Sequence, residues 1–144
     1  MMIINKSAFV FFNQKKIFQL VDDVEHYPDF LPWCGGSKVI KRTEEITEAT
    51  IEINFKGVKQ SFTTRNVKKP FEVMEINLVD GPFKKLTGLW KFADIDKNSC
   101  KIELSLIYEF DNLILEKLIG PIFNIIANTF IDEFIKEANK RFNE

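Results

Sequence analysis

Residues 115–138, Leu115-Glu116-Lys117-Leu118-Ile119-Gly120-Pro121-Ile122-Phe123-Asn124-Ile125-Ile126-Ala127-Asn128-Thr129-Phe130-Ile131-Asp132-Glu133-Phe134-Ile135-Lys136-Glu137-Ala138, carry apolar side chains at three- and four-residue steps. Leu115, Leu118, Ile119, Ile122, Phe123, Ile126, Phe130, Phe134 and Ala138 fall on one stripe, which predicts a long amphipathic helix. With about thirty residues and a rise of 1.5 Å each, it would be roughly 45 Å long. Asp132, Glu133, Lys136, Lys140 and Arg141 lie on its wet face. Gly120-Pro121 falls in the first third. Proline lacks a backbone donor and clashes with the preceding turn, so this pair is expected to kink the helix or mark its effective start. A helix with one apolar face needs a second layer to cover it.

The covering layer lies upstream. From Lys38 to Phe110 short apolar runs are separated by breaks at Glu44-Glu45, Lys56-Gly57, Lys69-Pro70, Asp80-Gly81-Pro82 and Asp96-Lys97-Asn98. Such short intervals predict an antiparallel meander. Ile51, Ile53 and Phe55 alternate with Glu52, Asn54 and Lys56, and Cys100, Ile102, Leu104, Leu106 and Tyr108 alternate with Lys101, Glu103 and Ser105, so one face is buried. Leu86, Gly88, Trp90 and Phe92 form a further inward row, in which Gly88 permits the bend of a strongly curved sheet. Ahead of the meander, Ile3 to Phe12 reads as a strand, Asn13 as a helix N-cap, and Gln14 to Asp22 as a short helix carrying Ile17, Leu20 and Val21 inward. The segment from Val24 to Cys34, with two prolines and three aromatics, reads as a helical turn and a loop. The order of strand, two helical pieces, about six strands and long helix defines a single α+β domain over residues 1–144, in which a curved antiparallel sheet grips one helix.

Composition narrows the function. Twenty Lys+Arg against 21 Asp+Glu give a net charge of -1 over 144 residues, which argues against a protein that coats DNA or RNA. Hydrophobic residues make up 45% and charged residues 28%, an ordinary folded-domain balance. Fifteen phenylalanines are the one skew, and they bring large apolar area without a polar handle. Cys34 and Cys100 form no Cys-x-x-Cys pair and are expected to be reduced thiols. The apolar run Ala8 to Phe12 is too short for a leader's core, and the uncharged stretch Leu118 to Ile131 is too short for a membrane span, so a soluble cytoplasmic protein is expected.

Few residues offer catalysis. One His and two Cys at no metal-binding spacing predict no metal site. His26 and the carboxylates Asp22, Asp23, Glu25 and Asp29 read as a solvated helix end rather than an acid–base device, and neither a G-x-S-x-G turn nor a Gly-rich phosphate loop is present. No catalytic residue is assigned. Lys56, Lys59, Arg65, Lys68, Lys69, Lys84 and Lys85 form either a basic face for RNA or anionic headgroups, or a solvated strand face. The inward row of Phe55, Phe62, Trp90, Phe92, Leu104, Leu106 and Tyr108, facing Ile119, Ile122, Phe123, Ile126 and Phe130, forms either an apolar ligand tunnel or a filled core.

Two stretches carry a resemblance: Leu20-Val21-Asp22-Asp23-Val24-Glu25-His26-Tyr27-Pro28-Asp29-Phe30-Leu31-Pro32-Trp33-Cys34, and Asp80-Gly81-Pro82-Phe83-Lys84-Lys85-Leu86-Thr87-Gly88-Leu89-Trp90-Lys91-Phe92. Together with Phe55-Lys56-Gly57, Phe62-Thr63-Thr64-Arg65 and Gly120-Pro121-Ile122-Phe123, they resemble the coenzyme Q-binding protein and ribosome association toxin family of the START-like superfamily. The resemblance implies a helix-grip fold, with a seven-stranded sheet around a long C-terminal helix and an apolar tunnel between them. It also implies one of two roles. Mitochondrial members bind ubiquinone in support of respiration, and bacterial members bind the large ribosomal subunit and block subunit joining; the superfamily also holds polyketide cyclases. Lacking the mitochondrial forms' transit peptide, the chain is similar to the bacterial, cytoplasmic members. The leading expectation is non-enzymatic binding of ubiquinone or another polyprenyl lipid, with no other cofactor. Phe55, Phe62, Phe83, Trp90, Phe92, Leu104, Ile122, Phe123, Ile126 and Phe130 are expected to line the tunnel, and Tyr27, Trp33 and Tyr108 to serve the head group. Lys84 and Lys85, beside a loop carrying Phe83, are expected to dock on an anionic membrane face, and Lys56, Lys59 and Arg65 extend this basic patch toward a ribosomal partner.

Overall fold

The computed structural model describes residues 1–142. Strand β1 (Met2–Val10) leads into α1 (Gln14–Asp22), whose first turn is capped by Asn13, its side-chain oxygen accepting from the Lys15 amide at 2.8 Å. A single 3₁₀ turn (Val24–His26) and the one-turn α2 (Tyr27–Phe30) follow. Then come β2 (Cys34–Arg42), β3 (Ile46–Phe55), β4 (Val58–Lys69), β5 (Val73–Asp80), β6 (Phe83–Asp96) and β7 (Ser99–Phe110), and the chain closes with α3 (Leu113–Phe142). All strands pair antiparallel in the order β1-β7-β6-β5-β4-β3-β2, so the meander folds as the breaks predict and β1 adds to its far edge.

The turns fall at the predicted breaks. At the β3–β4 hairpin Lys56 (φ 50°) and Gly57 (φ 83°) both sit in the left-handed region, the geometry that matches the twist of a two-residue hairpin. The first strand ends at Val10 rather than at the expected Phe12, and Phe11 faces solvent.

α3 starts earlier than Gly120-Pro121. Asn112 caps it, its Oδ1 accepting from the Leu115 amide at 2.9 Å, and the helix passes through Pro121 without ending. Proline leaves the Lys117 carbonyl without its usual i+4 donor. Ile119, Ile122, Phe123, Ile126, Ala127, Ile131, Phe134 and Ala138 bury against the sheet, whereas Leu118, expected on this stripe, is 64% exposed. By length and composition α3 could cross a membrane; here Ile119, Phe123, Ile126 and Phe134 are covered, while Leu113, Ile114, Leu118 and Ile125 stay exposed.

Candidate functional site

Between the inner face of the sheet and α3 lies a cavity with about 70 Å³ of free volume. Of the side chains predicted from sequence, Tyr27, Trp33, Phe62, Trp90, Leu104, Phe123, Ile126 and Phe130 line it. Phe55, Phe83, Phe92, Tyr108 and Ile122 do not border it. Phe83, 4% exposed, stacks on Phe110 at 5.0 Å and meets Phe123 at 5.0 Å, while Tyr108 meets Phe123 at 4.7 Å. These rings plug one end of the space between sheet and helix. Phe92 packs behind Trp90 at 5.7 Å and against Phe18 at 5.2 Å. Phe55 is half-buried at the strand end beside the Lys56 ammonium, and Ile122 is buried in the core. Thr64 and Asn66 also line the cavity, continuing the inward row of β4 two and four residues beyond Phe62; that period of two was the signal for them.

Gly88 shapes the wall. It pairs with Ile76 on β5 and Leu106 on β7, and a Cβ built there would stand 2.8 Å from Leu106 Cδ2 and 2.9 Å from Ile76 Cδ1. Leu106 and Ile76 both border the cavity, so the missing side chain at position 88 leaves them their places.

Five side chains that carry a hydrogen-bonding group border the cavity, Tyr27, Trp33, Thr64, Asn66 and Trp90, and among the described residues no charged one does. The Tyr27 hydroxyl donates to the Val21 carbonyl, and burial pushes its pKa well above 10. Thr64 Oγ1 donates to Asn66 Oδ1 at 3.2 Å, and Asn66 Nδ2 reaches only the Met74 sulfur at 3.6 Å. Trp33 Nε1 is buried with no hydrogen-bond partner among the described residues, and so is the Tyr108 hydroxyl at the plugged end. Burial also pushes the Cys34 and Cys100 thiols up to about 11.

An ionic cluster pins α1 and the 3₁₀ turn to the sheet. Asp22 accepts from Lys68 Nζ at 2.9 Å and from Thr47 Oγ1 at 2.7 Å, with Arg42 Nε at 3.7 Å. Lys68 is therefore not part of the basic outer face; its side chain is buried and points inward with Thr64 and Asn66. Arg42 grips Glu25 through both oxygens at 2.6 and 2.7 Å and holds that carboxyl down at about 2. Asp23 takes His26 Nδ1 at 2.8 Å and raises its pKa. Asp23, Glu25 and His26 bring ligand-type atoms within 4.8 Å of one another, but Arg42 and the Asp23–His26 contact already use those atoms.

The basic face is interleaved with acids. Lys59 lies 3.4 Å from Glu52, Arg65 2.8 Å from Glu48 and Lys84 3.8 Å from Glu109, while Lys56 sits 5.4 Å above the Phe55 ring and Lys85 is exposed. Phe83 does not stand out beside them: a register shift in β6 between Phe83 and Lys85 turns the ring inward and both lysines outward. A separate recess of about 630 Å³ lies between Met1, Met2, the end of β7 and the first turns of α3.

The family model for "Polyketide cyclase / dehydrase and lipid transport" matches residues 12–135. The Ribosome association toxin RatA of Vibrio cholerae is 38% identical over 141 residues, covering 98% of both chains. The mitochondrial Coenzyme Q-binding protein COQ10 homolog B of Xenopus laevis is 24% identical over 140 residues, covering 94% of this chain and 57% of its own. Among solved structures, the Zhui aromatase/cyclase from a Streptomyces species superposes with a TM-score of 0.80 at 14% identity, covering 97% of this chain and 94% of its own. A START superfamily protein from Mycobacterium smegmatis superposes at 0.69 with 20% identity, over 89% and 93%. At those identities the structures speak for the fold alone. A seven-stranded sheet gripping one long helix is the START-like architecture, and the chain belongs to the polyketide cyclase / dehydrase and lipid transport family, in the branch it shares with the ribosome association toxins and coenzyme Q-binding proteins.

Proposed function

We propose that the protein acts by binding a hydrophobic molecule between the sheet and α3, and not by catalysis. The lining carries this reading: an apolar wall without a charged side chain among the described residues, and with its one titratable proton, on Tyr27, committed to the Val21 carbonyl. Nothing there is poised to give or take a proton at neutral pH. Each Å² of apolar ligand surface taken from water contributes roughly 25 cal/mol, so such a wall holds a greasy molecule with few polar contacts. Ubiquinone or a related polyprenyl lipid is the finer reading, supported by the likeness to the coenzyme Q-binding protein; no other cofactor is invoked. A free volume of about 70 Å³ is smaller than the roughly 150 Å³ cavity that takes up benzene. A polyprenyl chain therefore enters only as Phe123, Ile126 and Phe130 on α3 give way. In this role the protein would work in the cytoplasm, at the inner face of the membrane, with Lys84 and Lys85 toward the lipid headgroups.

Association with the large ribosomal subunit is the second reading, and a specific observation favours it: the ribosome association toxin is 38% identical across nearly the whole chain, against 24% for the quinone-binding relative. The contact would be electrostatic and therefore salt-sensitive, through Lys59, Arg65, Lys84 and Lys85, and the acidic neighbours of the first three leave it weak for RNA alone. Neither reading involves DNA.

Mass spectrometry of organic extracts from natively expressed protein tests the first reading. The expected result is a stoichiometric quinone or polyprenyl lipid that is lost in Ala127→Leu, which adds three carbons to the cavity wall. An empty protein from quinone-rich cells refutes it. Co-sedimentation with large ribosomal subunits at low and high salt then decides the second.

A further inference from the structure

We propose that the cavity selects an uncharged, largely apolar ligand bearing a hydrogen-bond acceptor, such as a ketone, quinone, ester or ether oxygen, and that the indole N–H of Trp33 is the group that reads it. This rests on the cavity-binding reading above and adds the chemical class of the ligand.

Trp33 is 3% exposed and its Nε1 has no partner among the described residues. Buried indole N–H groups ordinarily find an acceptor, because desolvating a donor without replacing its water is unfavourable. The ring has no route to solvent that would relieve this. The Trp33 carbonyl accepts from the Asn54 amide at 2.9 Å, the next residue's amide donates to Leu31 at 3.0 Å, and the indole lies against Phe130 at 5.7 Å with a 30° tilt. A phenylalanine would make the same aromatic contact, so packing alone gives the N–H no reason to be there.

The other polar groups around the cavity point to the same ligand chemistry. The Tyr27 and Thr64 protons are already donated, and Asn66 Oδ1 is already used by Thr64. The donors left over are the Trp33 and Trp90 indole N–H groups and the Asn66 amide, whose only acceptor among the described residues is a thioether, a weak one; of these Trp33 N–H is the one fully buried without a partner. A carboxylate or an ammonium would meet no counter-charge among the lining side chains, and burying it would be prohibitive. An acceptor oxygen on an apolar frame fits.

The test uses acetophenone and α-methylstyrene, which share a shape and differ by a carbonyl oxygen against a methylene, titrated calorimetrically into the full chain and into Trp33→Phe. The ketone is better hydrated, which lowers its affinity for either protein, so the ratio of the two affinities is compared between proteins. The acetophenone to α-methylstyrene ratio is expected to fall about 5- to 30-fold in Trp33→Phe. In the unaltered protein the Trp33 indole proton resonance should also move downfield with acetophenone and not with α-methylstyrene; Trp90 lines the same cavity, and a selective shift of its indole proton in place of that of Trp33 overturns the assignment to Trp33. This second readout decides the matter if Trp33→Phe fails to fold. Binding of both probes with an unchanged ratio and no selective resonance shift overturns acceptor recognition and leaves the cavity reading standing. If neither probe binds the folded protein, this inference is overturned, and the lipid extraction above decides the cavity reading on its own.

Discussion

Replacing Asp22 with alanine is expected to destabilise the protein by about 3–5 kcal/mol, the penalty for leaving a buried charge without its partner. The stranded charge is Lys68: its side chain is 4% exposed, and its Nζ lies 2.9 Å from Asp22 Oδ2. The reverse change is milder. In Lys68→Met the Asp22 carboxylate keeps Thr47 Oγ1 at 2.7 Å and Arg42 at 3.7 Å, and the methionine fills the volume of the lysine stem, so about 1 kcal/mol or less is expected. With a urea m-value of about 2 kcal/mol per molar, Asp22→Ala should lower the unfolding midpoint by about 1.5–2.5 M and Lys68→Met by about 0.5 M or less. The double variant should recover most of the Asp22→Ala loss, since no buried ammonium then remains. Equal shifts for the two single variants, or a double variant no better than Asp22→Ala, would refute the asymmetry and with it the view of Asp22 as counter-ion to a buried lysine.

His26 is expected to titrate above 6.5 by NMR and to return toward that value in Asp23→Asn; its small contribution to stability is complete below 6.5 and fades as pH rises through the folded value. Glu25 behaves oppositely. Held at about 2 by Arg42, it contributes above the ordinary 4.5 and loses that contribution as pH falls toward 2, and Arg42→Gln should bring its NMR titration back toward 4.5. Gly88→Ala should push the ends of Leu106 and Ile76 into the cavity, lowering stability by about 1 kcal/mol and weakening α-methylstyrene binding; unchanged binding by calorimetry would mean that position 88 does not set the cavity wall. Cys34 and Cys100, buried and pushed up to about 11, should resist thiol reagents at pH 8 in the folded protein and react at once in urea.

The meander was legible because its breaks and its period of two are local: each predicted turn from Glu44-Glu45 to Asp96-Lys97-Asn98 separates two paired strands. The start of α3 was less so. Pro121 is a loud signal and Asn112 a quiet one, yet a cap hydrogen bond starts a helix while one missing bond need not end it. Phe83 was expected both in the lining and on a docking loop, because a turn residue beside two lysines reads as a tip, and the register shift that turns it inward, into the plug and short of the cavity, leaves no mark in the sequence. Lys68 shows the converse: its charge placed it on the basic face, although it lies an even number of residues from Phe62, and only Asp22, 46 positions away, accounts for its burial. Whether inward aromatics enclose a space or fill it depends on side chains from separate strands meeting in three dimensions. Spacing along the chain therefore found the lining residues Trp90 and Phe130 but could not exclude Phe92.

The proline in α3 divides that helix for amide exchange. With no bond from position 121 to the Lys117 carbonyl, the first two turns are tied to the rest mainly by Leu115 and Ile119, while Leu113, Ile114 and Leu118 stay in water. Their opening exposes little new apolar surface, so it can proceed as a sub-global fluctuation at a fraction of the global unfolding free energy. Amides of residues 114–120 should therefore exchange well ahead of those from Phe123 onward. Because Phe123 is both the first ring beyond the break and part of the aromatic plug, each such fluctuation loosens the plugged end of the cavity, and the rate at which a ligand arrives or leaves becomes a property of one helix's fraying rather than of the sheet.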